Sequence, residues 1–522
     1  MSYRVLIPTA GTGSRLEEMT RFLNKSLVTI ANRPALAYLI DQFPLDVEFV
    51  IALGHKSELV REFIALSYPQ RTFYFAEVNP FEGPGSGLGL SVLTCREFLR
   101  EPFVFCSCDT LIEQSIPSPE SNWMGHAKVA DLRPYRTLRL AQGRVSEICE
   151  KGAEGPDLAA YIGLAGIKDH EIFWDAMAEG GDRAIREGEA YGMRSLLSKE
   201  IQGIGFTWWD TGNKESLAKT REKYKRADAP NILDKPNEAI WFVNDEVIKF
   251  STDEEFIRNR VARASKLQGF CPPVLSSTSH MYKYQEVEGK VFSEVVTLPL
   301  FDRFLDHSAS FWQRHELNQD EQIVFRQTCL TFYRDKTEQR IKQFYRIFQR
   351  VDGTERINGV LMPTLADLFA DLNWDWLVEG LPGRFHGDFH FENVLWSEKN
   401  EMFTFLDWRQ EFGGSLTTGD IYYDFAKLLH GLIVCHELIA RDLYEVEWSK
   451  DEIRFDLLRR HILVECEQRY VEWLGEHGYD VRKVKILTAL IYLNIAALHH
   501  YPYCLLLFAL GKQMLEDNLN KT

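Results

Sequence analysis

The chain has 522 residues, enough for two to four domains that each bury a core, and its 45% hydrophobic and 26% charged residues are a globular balance. Its 60 Lys and Arg against 76 Asp and Glu leave a net charge of −16, which argues against a broad nucleic-acid surface, since such a surface needs a basic footprint. Nine cysteines lie scattered, with no CxxC pair or Cys/His spacing suited to zinc, so buried reduced thiols in a cytoplasmic protein are expected. Cys106 and Cys108 alternate within an apolar stretch and should share one strand face.

The opening MSYRVLIPTAG lacks the charged start, apolar core and cleavage site of a signal peptide. Up to about Tyr224, β-branched runs alternate with helical patterns. Arg4–Pro8, Val47–Leu53, Thr72–Val78 and Phe103–Ser107 read as strands, and Pro34–Phe43, Ser57–Ala65 and Leu88–Leu99 as helices. This order predicts an α/β domain over residues 1–226, a parallel or mixed sheet flanked by helices, with ligands gathering at the carboxyl ends of the strands. Residues 227–237 are polar and carry Pro230 and Pro236, and read as a linker. AIWFVNDEVIKFS then reads as a strand pair turning at Asn244–Asp245. From Phe301 the chain is mainly helical, with further strand signal only at NVLW and FTFLDW, so a small β lobe is followed by a large α lobe over 238–522. The longest apolar run, Ile486–Leu498, is too short to span a bilayer and reads as a buried helix.

Two constellations carry chemistry. In VLIPTAGTGSRL, Ala10, Gly11, Gly13 and Arg15 sit between a strand and a helix, where backbone amides and a fixed cation can hold a triphosphate, and NKSL places Lys25 shortly after. This segment resembles the signature of sugar-phosphate and phosphocholine nucleotidyltransferases, with Asn24 where that family usually has Pro. The resemblance covers about the first 225 residues. It implies a Rossmann-like fold, Asp109 of CSCDT and Asp210 of WWDTGN as ligands of Mg²⁺, and Glu150, Lys151 and Gly163 as substrate-binding residues. It also places the base-binding segment at FEGPGSGLGLSVL, around Gly85. Transfer to an acceptor phosphate expels pyrophosphate and builds charge on non-bridging oxygens, so cations and amides matter more than a proton-transfer group. Lys25 would orient the attacking phosphate and Arg15 the departing pyrophosphate.

The second constellation, RFHGDFHFENVLW followed by FTFLDW, resembles the aminoglycoside phosphotransferase and choline kinase family, which has a protein-kinase-like fold. The resemblance implies Asp388 acting on the acceptor hydroxyl, Asn393 and Asp407 holding Mg²⁺ on ATP, and Asp424 bracing the catalytic loop. His386 reads as a structural brace and His390 as outside the catalytic roles. In the smaller lobe Lys249 is the expected ATP-binding lysine, and the segment Tyr284 to Lys290, with Glu286, resembles the hinge. That lobe shows neither a Gly-rich phosphate cover before Lys249 nor a clean helix Glu to pair with it.

Together these features predict a bifunctional enzyme. ATP phosphorylates a small alcohol or sugar, and a second nucleoside triphosphate, CTP, then supplies CMP to that phosphate, giving an activated donor for surface polysaccharide or lipid. Aromatic residues crowd the second half, and a cationic headgroup such as choline would favour an aromatic box. Synthesis of a nucleoside-diphosphate sugar is the alternative. A different class of function, one half serving as a regulatory ATP-binding module, draws on the incomplete front lobe. The expected partners are nucleoside triphosphates and the small acceptor, without nucleic acid or a membrane span.

Overall fold

The computed structural model describes residues 3–225, 237–450 and 452–519. Two compact units result: Met1–Ile257 with Leu275–Glu286, and Arg258–Val274 with Val287–Thr522. Of the linker read at 227–237, all but Asn237 lies outside the described residues.

In the first unit β1 (Arg4–Pro8), β2 (Glu48–Leu53), β3 (Phe73–Glu77) and β4 (Phe103–Cys106) form close to their expected bounds. They join β6 (Trp123–Ala127), β7 (Thr137–Ala141), β8 (Arg144–Cys149), β9 (Leu158–Ile167) and β10 (Gln202–Gly205) in one sheet ordered β3-β2-β1-β4-β9-β6-β10-β8-β7. β1 pairs in parallel with β2 and β4, whereas β9 runs antiparallel to β4 and β6, so the sheet is mixed. β5 (Thr110–Ile112) leaves it and pairs antiparallel with β11 (Trp208–Asp210).

Both faces of β1 and β2 are covered, which is why these strands read as unbroken apolar runs. Val5, Ile7, Phe49 and Ile51 face a core with helices α1 (Ala35–Ile40) and α2 (Ser57–Ser67). Leu6, Val50 and Ala52 face the opposite core with α3 (Leu88–Thr94) and α4 (His170–Glu179). Cys106 and Cys108 both enter the first of these cores, and all nine cysteines are buried and unpaired.

A second sheet belongs to the same unit. β12 (Glu238–Val243) and β13 (Glu246–Ser251) form the expected hairpin, with Asn244 and Asp245 at φ 55° and 60°, the left-handed pair a tight two-residue turn demands. β14 (Val274–Ser277) and β15 (Met281–Gln285) complete the order β12-β13-β15-β14. Trp241, Val243, Ile248, Phe250 and Met281 are buried in one core with residues of α1 and α2. The Trp241 ring lies edge-on 5.5 Å from Phe63, and its Nε1 donates to Thr29 Oγ1 at 2.9 Å. Polar contacts seal the margin: Lys283 Nζ donates to Leu66 O, Asn244 to Ser67 O, and Glu62 accepts from Thr278 and from the His280 amide.

The second unit is mainly helical. Its elements include the residues of α6 (Glu254–Ala264) from Arg258 onward, α7 (Leu298–Phe311), α8 (Gln319–Leu330), α9 (Lys336–Ile347), α10 (Ile421–Ile433), α11 (His461–Glu476), α12 (Val481–Ala496) and α13 (Tyr503–Leu519). The apolar run at Ile486–Leu498 is largely the buried body of α12, as expected. No described helix is long and apolar enough to cross a membrane. NVLW and FTFL form the hairpin β18 (Val394–Ser397) and β19 (Met402–Phe405). The expectation of no further strands is corrected by a four-stranded sheet, β17 (Val360–Met362)-β16 (Glu355–Ile357)-β21 (Glu452–Leu457)-β20 (Tyr444–Trp448). Its strands are short, and YEVEW does alternate apolar and acidic residues as a half-buried strand should.

Because the small sheet shares a core with α2, Trp241→Ala should remove about 3–5 kcal/mol, the usual cost of deleting a buried Trp ring. Faster amide exchange in Ser57–Ser67, followed by mass spectrometry, is the expected outcome; unchanged protection there would show the two sheets to be energetically separate.

Candidate active sites

The first site gathers at the carboxyl ends of β1 and β4. The chain leaves β1 through Ala10, which is buried, and Gly11, around whose Cα there is open space. At Gly13, φ is 67°, and a Cβ would come within 3.0 Å of both Thr20 and Lys25. Asn24 is buried, donates to Thr9 O at 2.9 Å and His55 O at 2.6 Å, and accepts from the Ser26 amide. It thereby ties two strand ends together and caps the turn Lys25–Leu27. That turn sets Lys25 against Asp109, with which it forms a hydrogen-bonded ion pair.

Asp210 arrives on β11, opposite Thr110 of β5, one residue past Asp109. A Cβ placed on Gly212 would lie 2.9 Å from an oxygen of each carboxylate and 3.7 Å from Arg15 Nη2, so both acids and Arg15 face one spot. Asp210 is held by the Gly212 amide at 2.8 Å and by Tyr135 Oη at 3.1 Å. Burial disfavours charge on Asp109, yet Lys25, Ser107 and Arg15 outweigh it and hold the carboxyl at about 2. Asp109 therefore stays ionised, and two acidic side chains beside open backbone amides suit a hard cation that takes oxygen ligands. Lys151 is held below the usual lysine range by desolvation and by Arg15 and Arg136.

Gly163 supports this site from beneath. Its φ is 71°, its carbonyl accepts from Ser107 N at 2.8 Å, and a Cβ would lie 2.8 Å from that of Ser107. Glu150 turns toward Arg194 and Arg136. Arg136 Nη1 also donates to Glu187 O. Gly85 has φ 84° in the exposed loop before α3, while Gly87 and Gly89 permit close approach to the backbone of Ala184 and Ile185.

In the second unit, residues 386–393 form a loop braced by Asp424 of α10. This fully buried carboxylate accepts from the amides of His386 and Gly387, each at 2.6 Å, and from Trp312 Nε1 at 3.1 Å. Burial still pushes its carboxyl up to about 6. His386 is buried and held neutral, down to about 3, by the same desolvation, and its Nδ1 accepts from the Asp388 amide.

Asp388 lies 2.9 Å from Lys427 Nζ through one oxygen and 3.6 Å from His390 Nε2 through the other. Burial opposes its ionisation, but these cations hold it well below the carboxylate range. Asn393 turns its amide nitrogen to Asp388, which leaves its carbonyl oxygen as the donor a cation would take. Asp407 follows β19 with φ 59° and pairs with Arg260 Nη1 at 2.7 Å. These oxygen donors also suit Mg²⁺. Lys249 is buried on β13, in register with Ile240 and Tyr282, and the Glu286 amide donates to Asp245 O in the same first unit.

Several site residues escaped the sequence reading. Lys427 lies one helical turn beyond Asp424 in DFAKLLHG, so the i, i+3 spacing carried its signal. His390 bonds Glu392 at 3.0 Å, and Asp388 and Glu392 overcome its burial to raise it to about 9. Arg260, Tyr135 and Arg136 depend on long-range folding and gave no local pattern.

Residues 308–444 match the phosphotransferase enzyme family known as APH. Over 137 residues the chain is 31% identical to the CMP-5′-(3-aminopropyl)phosphonate synthase of Streptomyces rubellomurinus, a match covering 26% of this chain and 22% of that protein. It is 25% identical over 241 residues to the low-salt glycan biosynthesis nucleotidyltransferase Agl11 of Haloferax volcanii, covering 41% of this chain and 64% of the other. The chain thus spans less than two thirds of the length of either relative. A solved UDP-glucose pyrophosphorylase complexed with UDP-glucose aligns with 43% of this chain and 98% of its own, at 18% identity and a TM-score of 0.38.

Asp424→Asn would point an NH₂ group at one of the two backbone donors, which bind different oxygens of the carboxylate, and should cost about 1–3 kcal/mol. The folded carboxyl keeps its proton to about 6 against 3.8 in the free group, so its ionisation destabilises the fold as pH rises across that window. Thermal unfolding from pH 4 to 6 should therefore show a downward slope in the wild type that is weaker in Asp424→Asn; identical slopes would contradict the burial argument.

Proposed function

We propose that this chain, a nucleotidyltransferase-type domain joined to a domain of the phosphotransferase enzyme family, is a bifunctional enzyme that phosphorylates a small alcohol or sugar and then nucleotidylates the new phosphate. The observation that carries the reading is the separate convergence of two oxygen-donor sets on cations: Asp109 and Asp210 with Lys25 and Arg15, and Asp388 with Lys427 beside Asn393. Functionally we divide the chain into a nucleotidyltransferase at 1–226, a linker at 227–237 and a kinase at 238–522.

In the kinase reaction the acceptor hydroxyl oxygen bonds to the γ-phosphorus of ATP, the bond to the β–γ bridging oxygen breaks, and ADP leaves. Asp388 orients the hydroxyl and takes its proton. Its low proton affinity suits orientation more than strong base catalysis, as a loose phosphoryl-transfer transition state allows. Lys249 and Glu286 belong to the nucleotide side of this reaction. In the second reaction a phosphate oxygen of the product bonds to the α-phosphorus of a nucleoside triphosphate, CTP in our reading, and pyrophosphate leaves. Lys25 and Lys151 hold the attacking phosphate, Arg15 and the amides around Ala10, Gly11 and Gly13 hold the triphosphate, and the Gly85 segment meets the base. Glu150 and Gly163 shape the acceptor side. Asp109 and Asp210 would hold one Mg²⁺ and Asn393 and Asp407 another, and such ions neutralise charge on the phosphates. The product would be an activated donor for surface polysaccharide or lipid, made in the cytoplasm.

A second reading, in which the kinase half is a regulatory ATP-binding module, has one observation in its favour: Arg260 pairs with Asp407, an expected metal ligand. Incubation with ATP, Mg²⁺ and a panel of alcohols and sugars, followed by each nucleoside triphosphate and mass spectrometry, separates the readings. Tight ATP binding with no phosphorylated acceptor would favour the regulatory one.

Asp109→Asn and Asp210→Asn should each lower pyrophosphate release by about 10²–10³-fold, the scale of losing one electrostatic stabiliser, with phosphorylation intact. Asp388→Asn and Asp407→Asn should do the converse, and only Asp407→Asn should also weaken Mg·ATP binding. Near-normal rates in either pair would remove that site from the reaction.

A further inference from the structure

Beside the kinase loop lies a group of cations that form no ion pair among the described residues. Between α8 and α9 the helix passes through a π-turn, Thr331–Asp335, which sets Phe332 at the mouth of a cleft of about 270 Å³ lined also by Gln327, Thr328, Thr331, Lys336 and Gly413. Lys336 Nζ lies 4.7 Å from the centre of the Phe332 ring, and the Arg409 guanidinium carbon lies 4.7 Å from the same centre. Among the described residues, neither Lys336, Arg340 nor Arg409 forms an ion pair: Arg340 donates to Gln343 and Arg409 to the Glu411 carbonyl. Desolvation and the like charges of Arg409, Arg340 and Lys427 lower Lys336 to about 8.

Packing links these cations to the loop that carries Asp388. The Arg409 amide donates to His386 O, and a Cβ on Gly387 would lie 2.5 Å from that of Arg409, so this arginine packs against the residue preceding Asp388. On α10, Tyr423 stacks edge-on to Phe332 at 5.0 Å, and Lys427, one turn further, binds Asp388. Like charges gathered around an aromatic ring without counter-ions repel one another, and that cost is recovered when an anion binds between them.

We infer that the acceptor of the kinase half is an alcohol carrying an anionic group, a carboxylate, phosphonate or phosphate, which Lys336 and Arg409 bind beside Phe332 while its hydroxyl reaches Asp388. This inference rests on the kinase reading above and narrows its acceptor class. It also disfavours a cationic acceptor such as choline. Two of the aromatic residues that could box a cation are otherwise engaged: Trp408 is buried, and Trp376 already carries Lys483 5.0 Å from its ring centre.

The full-length protein can be tested with glycerate, glycerol 3-phosphate, glycerol and choline. Two readouts are taken: ADP release from Mg·ATP, and acetylation of Lys336 by a limiting amine-reactive reagent, quantified by mass spectrometry. Glycerate or glycerol 3-phosphate should shield Lys336 and drive ADP release about tenfold better than glycerol or choline, the scale of one charge-assisted contact. Lys336→Met should erase that preference by raising KM for the anionic acceptors, and Lys336→Arg should keep it. Shielding by neither anion, or turnover of glycerol or choline equal to that of the anionic acceptors in wild type, would overturn the inference with the kinase reading intact. Shielding by the anions without any ADP formed would support the anion site and overturn the kinase reading instead.

Discussion

A carboxylate removed from water must meet a cation or several N–H donors, and this constraint organises both candidate sites. Asp109 meets Lys25, Asp388 meets Lys427 and His390, and Asp424 meets two backbone amides and an indole. The outcomes differ with the partners. Cations hold Asp109 and Asp388 ionised at low pH, whereas neutral donors leave Asp424 raised to about 6. Asp109 and Asp388 are thus kept charged, and Asp424 is kept where its three bonds shape a loop.

Backbone geometry supplies the rest of the placement. The short pairing of β5 with β11 sets Asp210 opposite the residue after Asp109, bringing together acids far apart in the chain. In the second unit the hairpin β18–β19 does the same for Asn393 and Asp407, since Leu406 N donates to Asn393 O at 2.7 Å. The small sheet β12–β15 carries Lys249, yet its Trp241 and Phe250 are buried with Phe63. Lys249 is thus carried by the sheet that shares the core of the first unit.

Much of this was legible in the sequence for a physical reason. Buried parallel strands must be apolar throughout, so β1, β2 and β4 announced themselves, and Asn244–Asp245 is a dipeptide suited to left-handed turn conformations. The site motifs were legible because loop and ligand residues sit close together in the chain, as His386 to Asn393 do. What stayed hidden depends on tertiary contact. Glu150 reads as a substrate contact, and folding adds what no local pattern showed, the pairing of its carboxylate with Arg136 and Arg194. Lys336 and Arg409 carry no local sequence signal, and only folding brings each within 4.7 Å of the centre of one phenyl ring. The sheet β16–β17–β20–β21 was missed because its strands are short and come from two distant segments.

Consecutive action of the two sites can be read from the fate of a single phosphorus atom. With ATP labelled by ¹⁸O on its γ-phosphoryl group, unlabelled CTP, Mg²⁺ and an accepted alcohol, the label should appear in the phosphorus of the diphosphate product distal to the nucleoside, and the released pyrophosphate should be unlabelled. Label confined to inorganic phosphate, with no labelled diphosphate product, would contradict the two-step account.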